Sequence, residues 1–302
     1  MRLIAPSFEI MPQGYGLEDI YKQIELAGRT CYKSEDRITQ DSAKRFVEMI
    51  IKNGHGAMLE HGTVYLKIDP AKISASVLFE IINLTHNSYS VCREVEPYLY
   101  ITTNVRVLVE NRGWWMTKYL CSPTQYHEKR ITVRFTCDIG ISREFNRHRV
   151  NSMAEQSTRY CNYTTAKHGG ELSIILPPEL KQDDVDLHLD EWAGGDQTRT
   201  FKYMCGQIYQ DMVEDHFFEA LDTWLFANLA CEWSYNRLIR LGWKPQQARR
   251  VLPLDLQTEL VHTAFVSDWQ HFFDLRCAKD AHPQARELAI PLKEEFIKQG
   301  YI

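Results

Sequence analysis

Apolar residues recur along this chain at two periods, and each change of period marks an element. Leu17, Ile20, Tyr21 and Ile24 fall three or four apart, which predicts an amphipathic helix over 17–27. A second helix is predicted from Ser42, with Phe46, Met49 and Ile50 inward, stopping at Asn53–Gly54. In HGTVYLKI the period shortens to two at Val64, Leu66 and Ile68, as in a strand. Asp69 and Pro70 then stand as N-cap and first residue of another helix. RITVRFTCDI alternates most clearly, with Ile131, Val133, Phe135, Cys137 and Ile139 on one face of a strand. Gly140 breaks it, and Ser142 is placed to cap a short helix carrying Glu144 to Arg149. Helices are expected over about 200–216 and 219–241, the second ending at Gly242. After LPLDL comes a helical stretch with Trp269, Phe272, Phe273 and Arg276, then a last helix from about Pro283 that Pro291 should kink.

Strands and helices mix without a steady βαβ rhythm, so the expected fold class is α+β, a mixed sheet with flanking helices. Residues 1–302 read as a single domain with two decorations, at about 90–128 and 165–199. The second carries an acidic run, Asp183, Asp184, Asp186, Asp190 and Glu191, expected on a solvated surface.

Composition narrows the classes. With 44% hydrophobic and 25% charged residues the chain resembles ordinary globular proteins. Its net charge of −5 argues against a general nucleic-acid binder, which needs a strongly basic face. The eight cysteines are scattered with no CxxC pair, so they read as reduced, buried thiols. The first residues lack a long apolar run with a cleavage site, and no stretch approaches the length of a membrane span. A cytoplasmic protein without a membrane partner is expected.

Against that acidic background, one stretch concentrates positive charge. SREFNRHRVNSMAEQSTRY holds Arg143, Arg147, His148, Arg149 and Arg159, with Glu155 the only carboxylate between the last two arginines. Such a cluster is not neutralised locally and calls for an anion. Guanidinium forks beside hydroxyls are a common way to hold phosphate, so a nucleotide or phosphate cofactor is the leading inference. Ser157 lacks a nucleophile elbow and a triad, and reads better as a hydroxyl donor to a ligand. His55 and His61 in GHGAMLEH have neither HExxH nor zinc-finger spacing, so no metal site is expected. QQARRVLP adds Arg249 and Arg250. Arg276, beside Phe272, Phe273 and Leu275, is either a snorkelling surface arginine or a cation held in a low-dielectric pocket.

Together these pieces resemble the flavin-dependent thymidylate synthases. RHRVNSMAEQS, Arg147 to Ser157, is similar to that family's RHR, seven residues, then Ser; Arg159–Tyr160 follows as its Arg-Tyr. GHGAMLEH, ARRVLP and FFDLR match three further elements in the same order, from about residue 27 to 288. The resemblance implies an α+β homotetramer with active sites at subunit interfaces. It implies that dUMP receives a methylene carbon from methylenetetrahydrofolate, with FAD and NADPH supplying reduction. Arg147, His148, Arg149, Glu155, His271 and His55 would bind FAD. Glu144, Arg147, Glu155, Ser157, Thr158, Arg159, Arg249 and Arg276 would bind dUMP, Arg249 coming from another subunit and Arg276 activating the uracil as the catalytic group. The pattern departs from the family at Glu144, Ala57, Ala154 and Phe265-Val266-Ser267. Two alternatives stay open: a related flavoenzyme for a different pyrimidine nucleotide, and a non-catalytic nucleic-acid-binding module.

Overall fold

The structure, a computed structural model, describes residues 1–193, 196–214 and 218–302. Its strands are β1 (Arg2–Ile4), β2 (Ser7–Met11), β3 (Thr63–Ile68), β4 (Val91–Val95), β5 (Tyr98–Asn104), β6 (Arg130–Asp138), β7 (Ser152–Glu155), β8 (Ser173–Ile175) and β9 (Gln257–Phe265). The helices are α1 (Leu17–Tyr32), α2 (Ser42–Lys52), α3 (Gly56–Leu59), α4 (Ala75–Thr85), α5 (Val105–Glu110) and α6 (Ile139–Phe145) in the first half of the chain. They continue as α7 (Gln182–Ala193), α8 (Gln197–Glu214), α9 (Ala220–Arg240), α10 (Pro245–Ala248), α11 (Val266–Arg276) and α12 (Pro283–Lys298). The class is α+β, as expected. The chain forms two compact units, one of Met1–Ser7, Thr136–Glu144 and Ser157–Thr258, the other of Phe8–Phe135, Phe145–Gln156 and Glu259–Ile302.

The larger, second unit holds most of a four-stranded sheet in the order β2-β6-β9-β7, and a three-stranded sheet in the order β3-β5-β4. In the latter all pairs are antiparallel, with Leu66 opposite Ile101 and Cys92 also opposite Ile101. Its core joins Ile20 and Ile24 of α1 and Phe46, Val47 and Ile50 of α2 to Val64, Leu66 and Ile101 of the sheet. Helix α1 runs five residues beyond the expected 27. Its extension buries Gly28 and Thr30, and a methyl group on Gly28 would lie 2.6 Å from the Phe46 ring. The small residues let the two helices approach closely, a reason for length that the apolar stripe did not carry.

Residues 90–128, read as a decoration, instead supply the middle strand β5 and the core residues Leu99, Ile101, Val105, Leu108 and Met116. A middle strand is covered on both faces, so Thr102, Thr103 and Asn104 are buried beside the apolar residues and blur the alternation. The helix expected from Asp69 is also corrected. The Asp69 carboxylate caps only one 3-10 turn, Pro70–Lys72, accepting from Ala71 N at 3.1 Å. Helix α4 starts afresh where Ser74 Oγ accepts from Val77 N at 3.3 Å.

The first unit packs α7, α8 and α9 around Leu172, Ile174, Leu225, Leu229 and Tyr235, with β1 parallel to β8. Helix α9 ends at Arg240, and the chain leaves it through Gly242, whose φ of +91° belongs to the left-handed region that glycine enters without strain. The helix expected over 200–216 begins earlier, at Gln197, and the residues of that expectation beyond Glu214 lie outside the described residues. Asp183, Asp184 and Asp186 are exposed on α7, while the side chains of Asp190 and Glu191 lie outside those described.

Only Cys137 and Cys161 are buried; Cys92 and Cys205 are exposed and the other four intermediate, so burial as a common property of the thiols is corrected. Among the described residues no helix is long and apolar enough to cross a membrane.

Candidate functional site

Arg143 lies on a helix, but Arg147, His148 and Arg149 lie in a turn. The Asp138 carboxylate accepts from Ile141 N at 2.8 Å and starts α6 at Ile139, five residues before the expected Glu144. The helix therefore ends at Phe145, and Arg147, His148 and Arg149 occupy the chain between it and β7. The acceptors in this turn are Phe145 O, which takes His148 N, and His148 O, which takes Asn151 N.

In the second unit this turn faces α11 across a cleft of about 340 Å³, lined by Arg147, His148, Arg149, Asn151, Asp268, His271 and Arg276 among others. Asp268, His271, Leu275 and Arg276 fall at helical spacing, so one face of α11 presents them all. Behind that face Trp269, Phe272 and Phe273 are buried, and stacked and edge-on contacts tie them to Phe135, Phe145 and Phe296. The aromatic packing holds α11 rigid, and the polar face inherits that rigidity.

His148 is the hinge of the cleft. It is 8% exposed, packs 5.0 Å from Phe272, and its Nε2 accepts from Arg276 Nε at 3.2 Å. Burial first, then the Arg276 and His271 charges, hold the imidazole down at about 4 from an ordinary 6.5. The ring is therefore neutral at physiological pH, as an acceptor of the guanidinium N–H must be. Arg147 and Arg149 are exposed and form no hydrogen bond or ion pair with described residues. The single carboxylate of the cleft, Asp268, is raised by burial while Arg130 pulls it down. Such a donor-rich, carboxylate-poor cleft fits an anion, and its size fits the phosphate-bearing part of a dinucleotide cofactor.

Between pH 6.5 and about 4 the unfolded chain binds a proton at this position that the folded protein refuses, so stability falls as pH drops through that window. His61, held down to about 3 by burial, and buried His262 act in the same direction. Urea midpoints measured at pH 7, 5.5 and 4.5 should fall in that order. His148→Gln should flatten the slope between 6.5 and 4.5, and an unchanged slope would remove His148 from the account.

The other residues expected at the site are distributed as follows. Glu155 lies in β7 of the second unit and accepts from Asn146 Nδ2 at 2.9 Å. His55 is exposed at the start of α3 in the same unit and is not among the residues lining the cleft. Glu144, Ser157, Thr158, Arg159 and Arg249 belong to the first unit. There Arg249 Nη1 donates to Thr158 Oγ1 at 3.3 Å, and Arg159 Nε donates to Gln246 Oε1 at 3.2 Å. Ser157 Oγ accepts from Arg159 N at 3.3 Å, closing the turn that presents Arg159. Arg249 thus reaches Thr158 within one chain, whereas the resemblance implied that Arg249 comes from another subunit.

It missed Asn151, Asp268 and His262. Asp268 was available from its spacing to His271 and Arg276 on one helix face. Asn151, 9% exposed, binds His262 Nε2 at 2.6 Å, and His262 lies in β9, which the alternation rule did not find; no local signal pointed to either. His61 bonds Thr263 through Nδ1 at 2.8 Å inside the sheet and is a structural residue.

A profile of the family described as thymidylate synthase complementing protein matches residues 17–109 and 123–299. A flavin-dependent thymidylate synthase of Corynebacterium aurimucosum is 23% identical over 298 residues, 96% of this chain and 83% of that one. Those of Haloarcula marismortui and Halobacterium salinarum are 27% and 30% identical over 51% and 49% of this chain, and the matches span only 59% and 56% of their own length. A crystal structure of the UMP/dUMP methylase PolB from Streptomyces cacaoi with 5-Br dUMP aligns over 99% of this chain and 93% of that one, at 16% identity and a TM-score of 0.40. The profile takes in far more than half of the sequence, including the turn and the helix that face each other across the cleft; the chain belongs to the thymidylate synthase complementing protein family, the flavin-dependent thymidylate synthases.

Proposed function

We propose that this protein is a flavin-dependent thymidylate synthase that methylates dUMP to dTMP, with methylenetetrahydrofolate as carbon donor and NADPH as reductant. The observation that carries the reading is the cleft in which Arg147 and Arg149 lack partners among the described residues while neutral His148 holds Arg276. Arg147, His148 and Arg149 hold the flavin through its phosphates, with His271 against the ring system and His55 and Glu155 completing the set. A bound FAD supplies the reducing equivalents that turn a transferred methylene into a methyl group.

Ser157, Thr158 and Arg159 suit the dUMP phosphate, with an Arg249 from a second subunit completing the set, because guanidinium groups and hydroxyls are donors to it. Arg249 serves a neighbouring subunit of a homotetramer, and the chain works as one catalytic domain. Arg276 stabilises negative charge developing on the uracil. A guanidinium does so without surrendering a proton, and the buried aromatic wall behind α11 lowers the dielectric in which it acts. His148 fixes its Nε and with it the plane of the guanidinium group. No cysteine nucleophile is required in such a scheme.

The test is an absorbance spectrum of the purified protein followed by NADPH oxidation on adding dUMP, with and without methylenetetrahydrofolate and with UMP in parallel. A yellow protein whose NADPH oxidation depends on dUMP is expected. A colourless protein that takes up no FAD would overturn the flavin assignment; UMP preferred over dUMP would overturn the substrate.

A further inference from the structure

A second cleft of the second unit, about 220 Å³, is lined by Tyr15, Tyr65, Lys129, Arg130 and Tyr301 among others. None of the roles above uses these residues. Among the described residues no carboxylate lines this cleft, and a buried cation does: Arg130 is 8% exposed. Arg130 donates from Nη1 to Glu60 O at 2.9 Å and Thr63 Oγ1 at 3.3 Å, and from Nη2 to Ser152 Oγ at 3.0 Å. Its Nε is buried with no partner. That Nε has no accessible surface for a guest to reach, and an acceptor in the cleft would instead answer the under-compensated Arg130 charge beneath it.

The rest of the cleft is arranged to supply a place for that acceptor. Tyr65 Oη accepts from Arg130 N at 3.1 Å, so its own proton remains to be donated, and no described residue accepts it. Burial raises the phenols of Tyr65 and Tyr301, and Tyr15 and Tyr301 each raise Tyr65 further, which places the three hydroxyls within electrostatic reach of one another. Tyr65 and Tyr301 therefore stay protonated donors at neutral pH. Lys129 sits 5.9 Å from the centre of the Tyr301 ring, adding a second, exposed cation at the mouth. Gln13 ties the Tyr15 segment to β3 by two bonds, Nε2 to Thr63 O and Thr63 N to Oε1, both 2.8 Å, so the wall is fixed before any guest arrives.

We propose that this cleft is a binding site for a small aromatic carboxylate, whose ring lies among Tyr15, Tyr65 and Tyr301 and whose carboxylate takes donors from Lys129, Arg130 and the phenols. The cleft has room for one ring with its acid group. Asp268 and Glu60 already offset part of the Arg130 charge, which suits a monoanion better than a phosphate dianion. The inference does not depend on the thymidylate synthase reading.

Benzoate is the probe, with benzamide as its neutral counterpart and inorganic phosphate as a ringless anion, each titrated into the full-length protein by calorimetry. Benzoate should bind with a Kd of about 1 mM or tighter. Benzamide should bind at least about tenfold more weakly, and Lys129→Gln and Tyr301→Phe should each weaken benzoate several-fold. Neither variant touches the buried Arg130, so the fold is kept, and Arg276→Lys should leave benzoate binding unchanged. Equal binding of benzoate and benzamide, phosphate binding in place of benzoate, no benzoate binding, or loss of binding only in Arg276→Lys would each overturn the proposal.

Discussion

Arg276→Lys should lower kcat by about 10²-fold to 10³-fold while the protein keeps most of its flavin. The substitution retains the positive charge, so bulk attraction for anions in the cleft is little changed. What it removes is the planar fork. Arg276 bonds His148 through Nε at 3.2 Å, which fixes the plane of its guanidinium group; an ammonium on a flexible stem has no equivalent anchor. Binding energy that exists only once the pyrimidine carries charge would be lost, which lowers kcat and kcat/KM together. The measurement is steady-state turnover beside the flavin-to-protein absorbance ratio. Turnover within about threefold of the parent protein would remove Arg276 from the catalytic role.

Arg147→Ala should behave in the opposite way, with flavin lost first. Arg147 is exposed in the cleft and without a partner among the described residues, so its removal leaves no buried charge behind and should not disturb folding. One charge-assisted contact to a phosphate corresponds to about tenfold to a hundredfold in flavin affinity. The purified variant should be paler, should regain activity as FAD is added, and should bind FAD with a weaker dependence on salt. An unchanged flavin content at equal FAD would show that the cofactor's phosphates do not lie against this side chain.

The two substitutions separate the two duties of the same cleft, because one group is locked to the protein and the other is not. They also differ in pH response. Arg276 is held by an imidazole that is neutral only above about 4, whereas Arg147 has no partner among the described residues.

What local pattern determined is considerable. The period of the apolar residues placed α1, α2, β3 and β6, although in β3 the alternate positions Thr63 and Tyr65 are buried as well. The density of charge in RHRVNSMAEQSTRY pointed to an anion, because like charges gathered against a net charge of −5 need an external partner. Arg276 was marked by its aromatic neighbours, which do form the wall behind it. Strand β9 was not legible. It lies between β6 and β7 with Thr258, His262 and Thr263 all buried, so it shows no alternation to read. The same cause hid β5. Tertiary structure alone decided that the basic turn faces α11, that His148 accepts from Arg276 across 128 positions of sequence, and that Asn151 is backed by His262. Periodicity reports which face of one element is apolar; which polar faces meet is settled only when separate elements pack, since a hydrogen bond between distant residues leaves no mark on the residues beside either partner.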